Sequence, residues 1–497
     1  MTEKDFLANT SLGVLQGIKS GTVIQFRGVP YTKPPVKDLR FAPPQEMSSW
    51  TGIRLAREHG PIPPQPPSRL SSVLGDFSRP QDEDCLTLTI STPAIDKKAR
   101  PVLVFLHGGG YLTGAGSLDW YDGSTLAHEG DLVVVGVNYR LGVLGFLYQP
   151  GISDGQLGIQ DMIAALEWVK DNIADFGGDP NQITVMGQSG GGQAIMCMLA
   201  MPETRRLFQR AILQSAPVGA PPFSKATALE YGNQFLSLLG IKTRPARELI
   251  QRLKTETPAN LIMATGKLVR STASFGDVTP PFMPVFEDIS TQEHFIQAAA
   301  DGAATARVEV IIGTNGQEAN AYFNVLSMQK PDLNLVSQRF LTLTGRGDAI
   351  DLYRQRRPGG TAADLLSDLT TDHYFLFPSL KFADAASKAG VRTWVYQFDW
   401  SPPNSPFKAC HCIELPFVFG TLSAWNSAPM LNGADSSVVK DLSAAIRHMW
   451  LAFVKKGNPE LNIPWLQYRS DSRQTMQFGD TVGPVGDLGG LTWRYHA

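Results

Sequence analysis

Two uninterrupted apolar runs, residues 102–106 (VLVFL) and 132–137 (LVVVGV), each give way at once to His or Asn. A strand that is apolar on both sides has no face for water, so it belongs inside a sheet covered above and below. Residues 157–173, LGIQDMIAALEWVKDNI, set Ile159, Ile163, Leu166, Val169 and Ile173 on one stripe, which predicts an amphipathic helix stopped by FGGDP. Buried strands separated by such helices make an α/β protein with a large, mostly parallel central sheet and helices on both faces. Further strands are expected at 183–186, 211–214, 308–313 and 393–398, helices at 194–199 and 443–454, and short edge strands after Pro464. Residues 9–31, punctuated by Gly13, Gly17, Gly21 and Gly28, read as a small antiparallel meander. Residues 61–80, rich in Pro and Ser, read as an ordered surface loop or flap. Stretches 225–305 and 320–390 look helical with frequent breaks, as insertions forming the walls or lid of a pocket would. No linker divides the chain, so residues 1–497 are read as one domain.

Charge and composition exclude several classes. With 44 Lys plus Arg against 46 Asp plus Glu, and no basic block, nucleic acid is not an expected partner. Every apolar run is too short for a bilayer, so no membrane span is expected. MTEKDFLANT carries charges and no apolar core, so no secretory signal is read and a cytoplasmic location is expected. Cys85, Cys197, Cys410 and Cys412 are too few and too irregular for a disulfide framework. Cys410 and Cys412 flank His411, but one intervening residue and no second cysteine pair suit tetrahedral zinc poorly, so no metal is expected.

The segment ITVMGQSGGG places Gly187, Ser189 and Gly191 between a buried strand and a helix. Gly187 and Gly191 leave room for neighbouring backbone at a tight turn, lifting the serine to the carboxyl end of the sheet. There the next backbone N–H, at Gly190, points where a tetrahedral oxygen would develop. Taken alone, Ser189 could equally be a helix N-cap. FLHGGGYLTG follows the first apolar strand, and three consecutive glycines need a geometric reason. A loop whose Gly109 and Gly110 N–H groups face inward, as in the HGGG loop of lipases and esterases, is one; a plain turn is another. His107 is expected to orient that loop.

Of eight histidines, His59, His128, His294 and His496 lie in polar or terminal contexts, and His373 and His448 in helical patterns. His411, in KACHCIELPFVFG, follows the penultimate expected strand and suits the base of an order Ser, acid, His. Glu318, in VEVIIGTNGQEANAYF, stands past a strand end and suits the acid, with Glu287, Asp288 and Asp399 as rivals.

With these motifs located, the chain resembles the type-B carboxylesterases of the α/β-hydrolase fold, the family of bacterial para-nitrobenzyl esterases and the cholinesterases. EDCLTLTI, HGGGY, NYRLGVLGFL, NIADFGGDP, GQSGG, TNGQEA and HCIELPFVFG carry the resemblance from FRGVPY onward. It implies Ser189 as nucleophile, Glu318 as acid, His411 as base, and Gly109, Gly110 and Gly190 as oxyanion donors. It also implies a structural ion pair, Arg140 with Asp161, and a buried polar network of Ser215 and Glu414 behind the triad. The implied activity is serine carboxylic-ester hydrolysis of small to medium, largely neutral esters, with aryl, phthalate and other xenobiotic esters in range and no cofactor. Amidase, thioesterase or lactonase chemistry would use the same residues, and a non-catalytic binding or adhesion role would keep only the fold. Monomer and homodimer both fit. The family reads G-E-S-A-G where this chain has Gln188 and Gly190, so an anion beside the serine is missing. Cys85 lacks the partner cysteine and the tryptophan of the cholinesterases.

Overall fold

The computed structural model describes residues 6–241, 245–323, 331–488 and 490–495. The apolar runs form the middle of an eleven-stranded sheet. Its strands are β1 (Ile18–Ser20), β2 (Val23–Pro30), β3 (Thr87–Thr92), β4 (Arg100–Leu106), β5 (Val133–Val137) and β6 (Gly178–Gln188). They continue with β7 (Arg210–Gln214), β8 (Glu309–Asn315), β9 (Thr393–Phe398), β10 (Thr475–Phe478) and β11 (Val482–Val485). The spatial order is β11-β10-β9-β8-β7-β6-β4-β5-β3-β2-β1. Every pairing from β10 to β5 is parallel, and the remaining pairs at both ends are antiparallel.

Both faces are covered, as continuous apolar strands require. Val102, Val104 and Leu106 pack with Ile159, Leu166 and Val169 of helix α1 (Leu157–Asn172) and with Ile195 and Leu199 of α2 (Gly190–Ala200). Leu103 and Phe105 face the other way, toward Ile446, Trp450 and Phe453 of α3 (Ser436–Lys456). Each of these fully buried side chains contributes about 1.5–3 kcal/mol of transfer free energy. This is the α/β-hydrolase fold that the sequence led us to expect.

The N-terminal meander is divided. Leu7–Thr10 pairs antiparallel with Gly13–Gln16, which pairs parallel with Ile53–Leu55, in a separate three-stranded sheet, while β1 and β2 edge the main one. The break falls at Gly17, where a Cβ would lie 2.6 Å from the Gln25 carbonyl oxygen. Among the described residues, no helix is long and apolar enough to cross a membrane.

In chain order β4 is followed by β5 on one side and by β6 on the other, a switch point that opens a crevice at the carboxyl ends of the strands. The loops after β4, β6, β8 and β9 carry, in turn, Gly109 and Gly110, Ser189, Glu318 and His411.

Candidate active site

Strand β6 ends at Gln188 and α2 starts at Gly190, leaving Ser189 alone to turn the chain, with φ 54° and ψ −122°. A residue with a Cβ held there stores about 1–3 kcal/mol of strain, a cost met by the surrounding packing. Gly187 and Gly191 beside it are obligatory. A Cβ on Gly187 would sit 2.5 Å from the Gly191 carbonyl, and one on Gly191 would collide with the Leu106 carbonyl oxygen. Gly190 differs, because a Cβ there would meet Tyr111 at an ordinary 3.5 Å. Gly190→Ala is therefore expected to keep the N–H in place and stabilise the fold by about 0.5–1 kcal/mol through the unfolded state. Gly191→Ala should destabilise it; thermal unfolding of the two variants checks the contrast.

His411 Nδ1 lies 2.6 Å from Glu318 Oε2, both side chains fully buried. Glu318 Oε1 accepts a 2.7 Å bond from the Asn315 N–H, and the His411 N–H donates to the Glu318 carbonyl at 3.2 Å. The carboxylate is thus fixed by the end of β8 and holds the imidazole as the Nδ1–H tautomer. The ring packs against Phe375 and Tyr322, with centroids 5.2 and 5.5 Å away. The rivals lie elsewhere: Asp399 accepts from Gln397 and Gln477, Glu287 accepts from the Lys225 N–H, and Asp288 is exposed. His496 falls outside the described residues.

His411 Nε2, the nitrogen left with a lone pair, faces the Gln188 side-chain amide at 3.2 Å, and the same amide reaches Cys412 Sγ at 3.2 Å. The Ser189 hydroxyl interacts with the Tyr322 phenol, and among the described residues it makes no hydrogen bond to His411. Ser189 and His411 nevertheless line the same cavity. Cys410 and Cys412, like Cys85 and Cys197, are buried free thiols.

The loop after β4 adopts φ 109° at Gly109 and 60° at Gly110, and a Cβ on Gly109 would collide with the Thr113 carbonyl. Among the described residues the N–H groups of Gly109, Gly110 and Gly190 donate to no turn or loop carbonyl. His107 Nδ1 bonds the Gly108 carbonyl at 2.7 Å, its ring stacks on Tyr139 at 4.3 Å, and burial pulls its pKa down to about 4. It is a neutral brace for the loop.

Behind His411, Glu414 Oε2 accepts from Asn315 Nδ2 at 2.7 Å and Oε1 from Gln214 Nε2 at 3.4 Å. Burial, then the charge of Glu318, raises its pKa to about 7. The Ser215 hydroxyl takes no part, being without a hydrogen-bond partner among the described residues; the neighbouring Gln214 makes the link instead. Arg140 and Asp161 form a buried bidentate pair, Nη2 to Oδ1 at 2.7 Å and Nε to Oδ2 at 2.8 Å.

The cavity above Ser189 has a volume of about 230 Å³. The sequence led us to expect its walls from residues 225–390. That stretch supplies Gly266, Val269, Arg270 and Tyr322, but Pro66 to Leu70, Leu74 and Phe77 of the Pro-rich loop and Leu112 to Gly114, Trp120 and Tyr121 supply more. The loop read as a surface flap is a wall of the site. Arg69 and Tyr322 were missed, and no local pattern marks either one.

An α/β-hydrolase scaffold that gathers a strained serine, a histidine–carboxylate pair and a glycine loop around one cavity defines a hydrolase. The chain belongs to the carboxylesterase family, whose model matches residues 4–487. It is 37% identical over 488 residues to phenmedipham hydrolase of Pseudarthrobacter oxydans, covering 96% of each chain. It is 35% identical over 483 residues to para-nitrobenzyl esterase of Bacillus subtilis, covering 95% of this chain and 94% of that one. The solved structure of carboxylesterase EST55 of Geobacillus stearothermophilus superposes with a TM-score of 0.86 at 32% identity, covering 99% of both chains. The protein is a carboxylic-ester hydrolase.

Proposed function

We propose that this hydrolase works through an acyl-enzyme on Ser189. The carrying observation is the 2.6 Å pairing of His411 with Glu318 beside a serine held at φ 54°. As an ester carbonyl enters, the Ser189 hydroxyl turns from Tyr322 toward His411, whose Nε2 takes its proton as the oxygen attacks. The negative charge develops on the carbonyl oxygen, where the N–H groups of Gly109, Gly110 and Gly190 meet it. Glu318 stays ionised and stabilises the imidazolium. His411 then protonates the leaving alcohol, and water repeats the sequence to release the acid. Leu70, Leu74, Phe77, Leu112, Trp120 and Val269 line the cavity and suit small to medium esters whose bulk is apolar. Similarity to para-nitrobenzyl esterase and phenmedipham hydrolase supports aryl and other synthetic esters as first substrates.

Gln188 must give way for His411 to reach the serine. A carboxylate in its place would sit against the same nitrogen and favour the imidazolium. Gln188→Glu is therefore expected to move the acidic limb of the kcat/KM profile for a neutral ester upward by about one pH unit. An unmoved limb would mean that residue 188 does not face His411 in solution.

The acyl-enzyme is tested by product partitioning. Butyrate esters of several phenols, hydrolysed with methanol present, should all give one ratio of methyl butyrate to butyrate. A ratio that changes with the phenol would rule out a shared intermediate.

A further inference from the structure

Two arginines line the cavity of Ser189. Both are exposed: Arg270 in the last turn of the helix Pro258–Thr272, and Arg69 where it reaches over the glycine loop. Its Nη2 donates to the Val278 carbonyl at 3.3 Å and stands 3.4 Å from where a Cβ on Gly110 would be. The loop that carries Arg69 is fastened in place: the Gln65 side chain donates to the Gly114 carbonyl at 3.0 Å and accepts from the Gly114 N–H at 2.6 Å. Arg69 is thus built onto the same loop system as Gly109 and Gly110.

Among the described residues, no carboxylate lies within ion-pair distance of Arg69. The acidic residue whose charge reaches it, Asp277, accepts instead from the Tyr374 hydroxyl and the Thr279 N–H. Arg69 is exposed to the cavity, and partial desolvation by the surrounding protein lowers its pKa against the opposing pull of Tyr322 and Asp277. Beside the serine, Gln188 supplies an amide and no balancing charge. A guanidinium has five donors in a planar fork, and the Val278 carbonyl takes one of them. A guanidinium without a carboxylate partner keeps donors free for an entering anion, and a carboxylate matches its fork.

We propose that Arg69 is a specificity-determining residue that selects esters carrying a carboxylate within a few bonds of the scissile carbonyl. The inference rests on the reading of Ser189 as the nucleophile of this cavity, and it changes the expectation of largely neutral substrates at one point. The bulk of the substrate is apolar, and one substituent is anionic.

The test uses the purified full chain and two pairs of esters matched in shape. On the alcohol side, 4-butyryloxybenzoate is compared with 4-butyryloxybenzamide. On the acyl side, the mono-4-nitrophenyl ester of terephthalate is compared with 4-nitrophenyl 4-carbamoylbenzoate. In at least one pair the wild type should prefer the anionic member by about ten- to a hundredfold in kcat/KM, mainly through KM, as a charge-assisted bidentate contact implies. The preference should shrink as salt rises. Arg69→Met should bring that ratio near one, and Arg69→Lys should keep part of it. Equal treatment of both members by the wild type, or a ratio unchanged in Arg69→Met, would overturn the proposal. If the wild type hydrolyses neither the amide twins nor 4-nitrophenyl butyrate, the esterase reading of the cavity has failed, an outcome distinct from loss of the preference.

Discussion

Ser189→Ala is expected to lower kcat for 4-nitrophenyl butyrate by at least about 10⁴-fold while leaving the fold intact. The serine and the histidine act as one unit in the proposed mechanism, since neither an attacking oxygen nor a proton acceptor alone opens the ester. His411→Ala should therefore cost a similar factor, and the double variant little more than either. Glu318→Gln should cost less, because Gln can still accept a bond from the Asn315 N–H that now goes to Glu318 Oε1 but cannot stabilise an imidazolium. The fold should tolerate Ser189→Ala because the backbone bond from the Ser189 N–H to the Gln214 carbonyl, 2.8 Å, does not involve the hydroxyl. Steady-state kinetics with an unfolding curve on each variant separates lost chemistry from lost structure.

Asp161→Ala is expected to be the most destabilising single change, at about 3–5 kcal/mol. Asp161 accepts from the Arg140 N–H at 3.1 Å and from Nε and Nη2 of its guanidinium, while Nη1 goes to the Ala42 carbonyl at 2.7 Å. Arg140 is 3% exposed and Asp161 0%, so removing the carboxylate leaves a buried cation with one acceptor. The damage reaches the site through the chain around Arg140. The Tyr139 hydroxyl donates to the His107 carbonyl at 2.7 Å, and the Gly142 N–H to the Tyr111 carbonyl at 2.6 Å, both on the glycine loop. Replacing both members of the pair by apolar residues of similar volume should recover most of the loss, because the penalty comes from the unpaired charge. Urea denaturation of the single and double variants measures both values.

What the sequence disclosed depended on whether the signal was local. Strand β4 and helix α1 were legible because their periodicity lies within one element. Strand β6 begins at Gly178, well before the expected residue 183, because GDPNQ reads as a turn and joins the sheet only through a register shift against β4. Helix α3 begins at Ser436, two turns ahead of expectation, under an Asp435 cap that accepts from the Ser437 and Val438 N–H groups. Its first turns are largely exposed, with only Val439 and Leu442 buried ahead of residue 443.

In the site, Ser189, Gly109 and Gly110 declared themselves through glycines that the turn geometry demands. Glu318 and His411 were placed by chain order and family resemblance, and only tertiary structure separates Glu318 from Asp399. Arg69, Tyr322 and Phe375 had no local signature, since each reaches the site across the fold. Ser215 shows the reverse, a residue that resemblance places in a polar network and whose hydroxyl has no partner among the described residues.

The most direct test of Ser189 as nucleophile is covalent. The protein is incubated with a fluorophosphonate, and the adduct is located by peptide mass spectrometry while 4-nitrophenyl butyrate turnover is followed in the same sample. One label per chain on Ser189, with turnover lost in proportion to labelling, is the predicted result. Turnover that persists in fully labelled protein, or active protein that carries no label at Ser189, would contradict it.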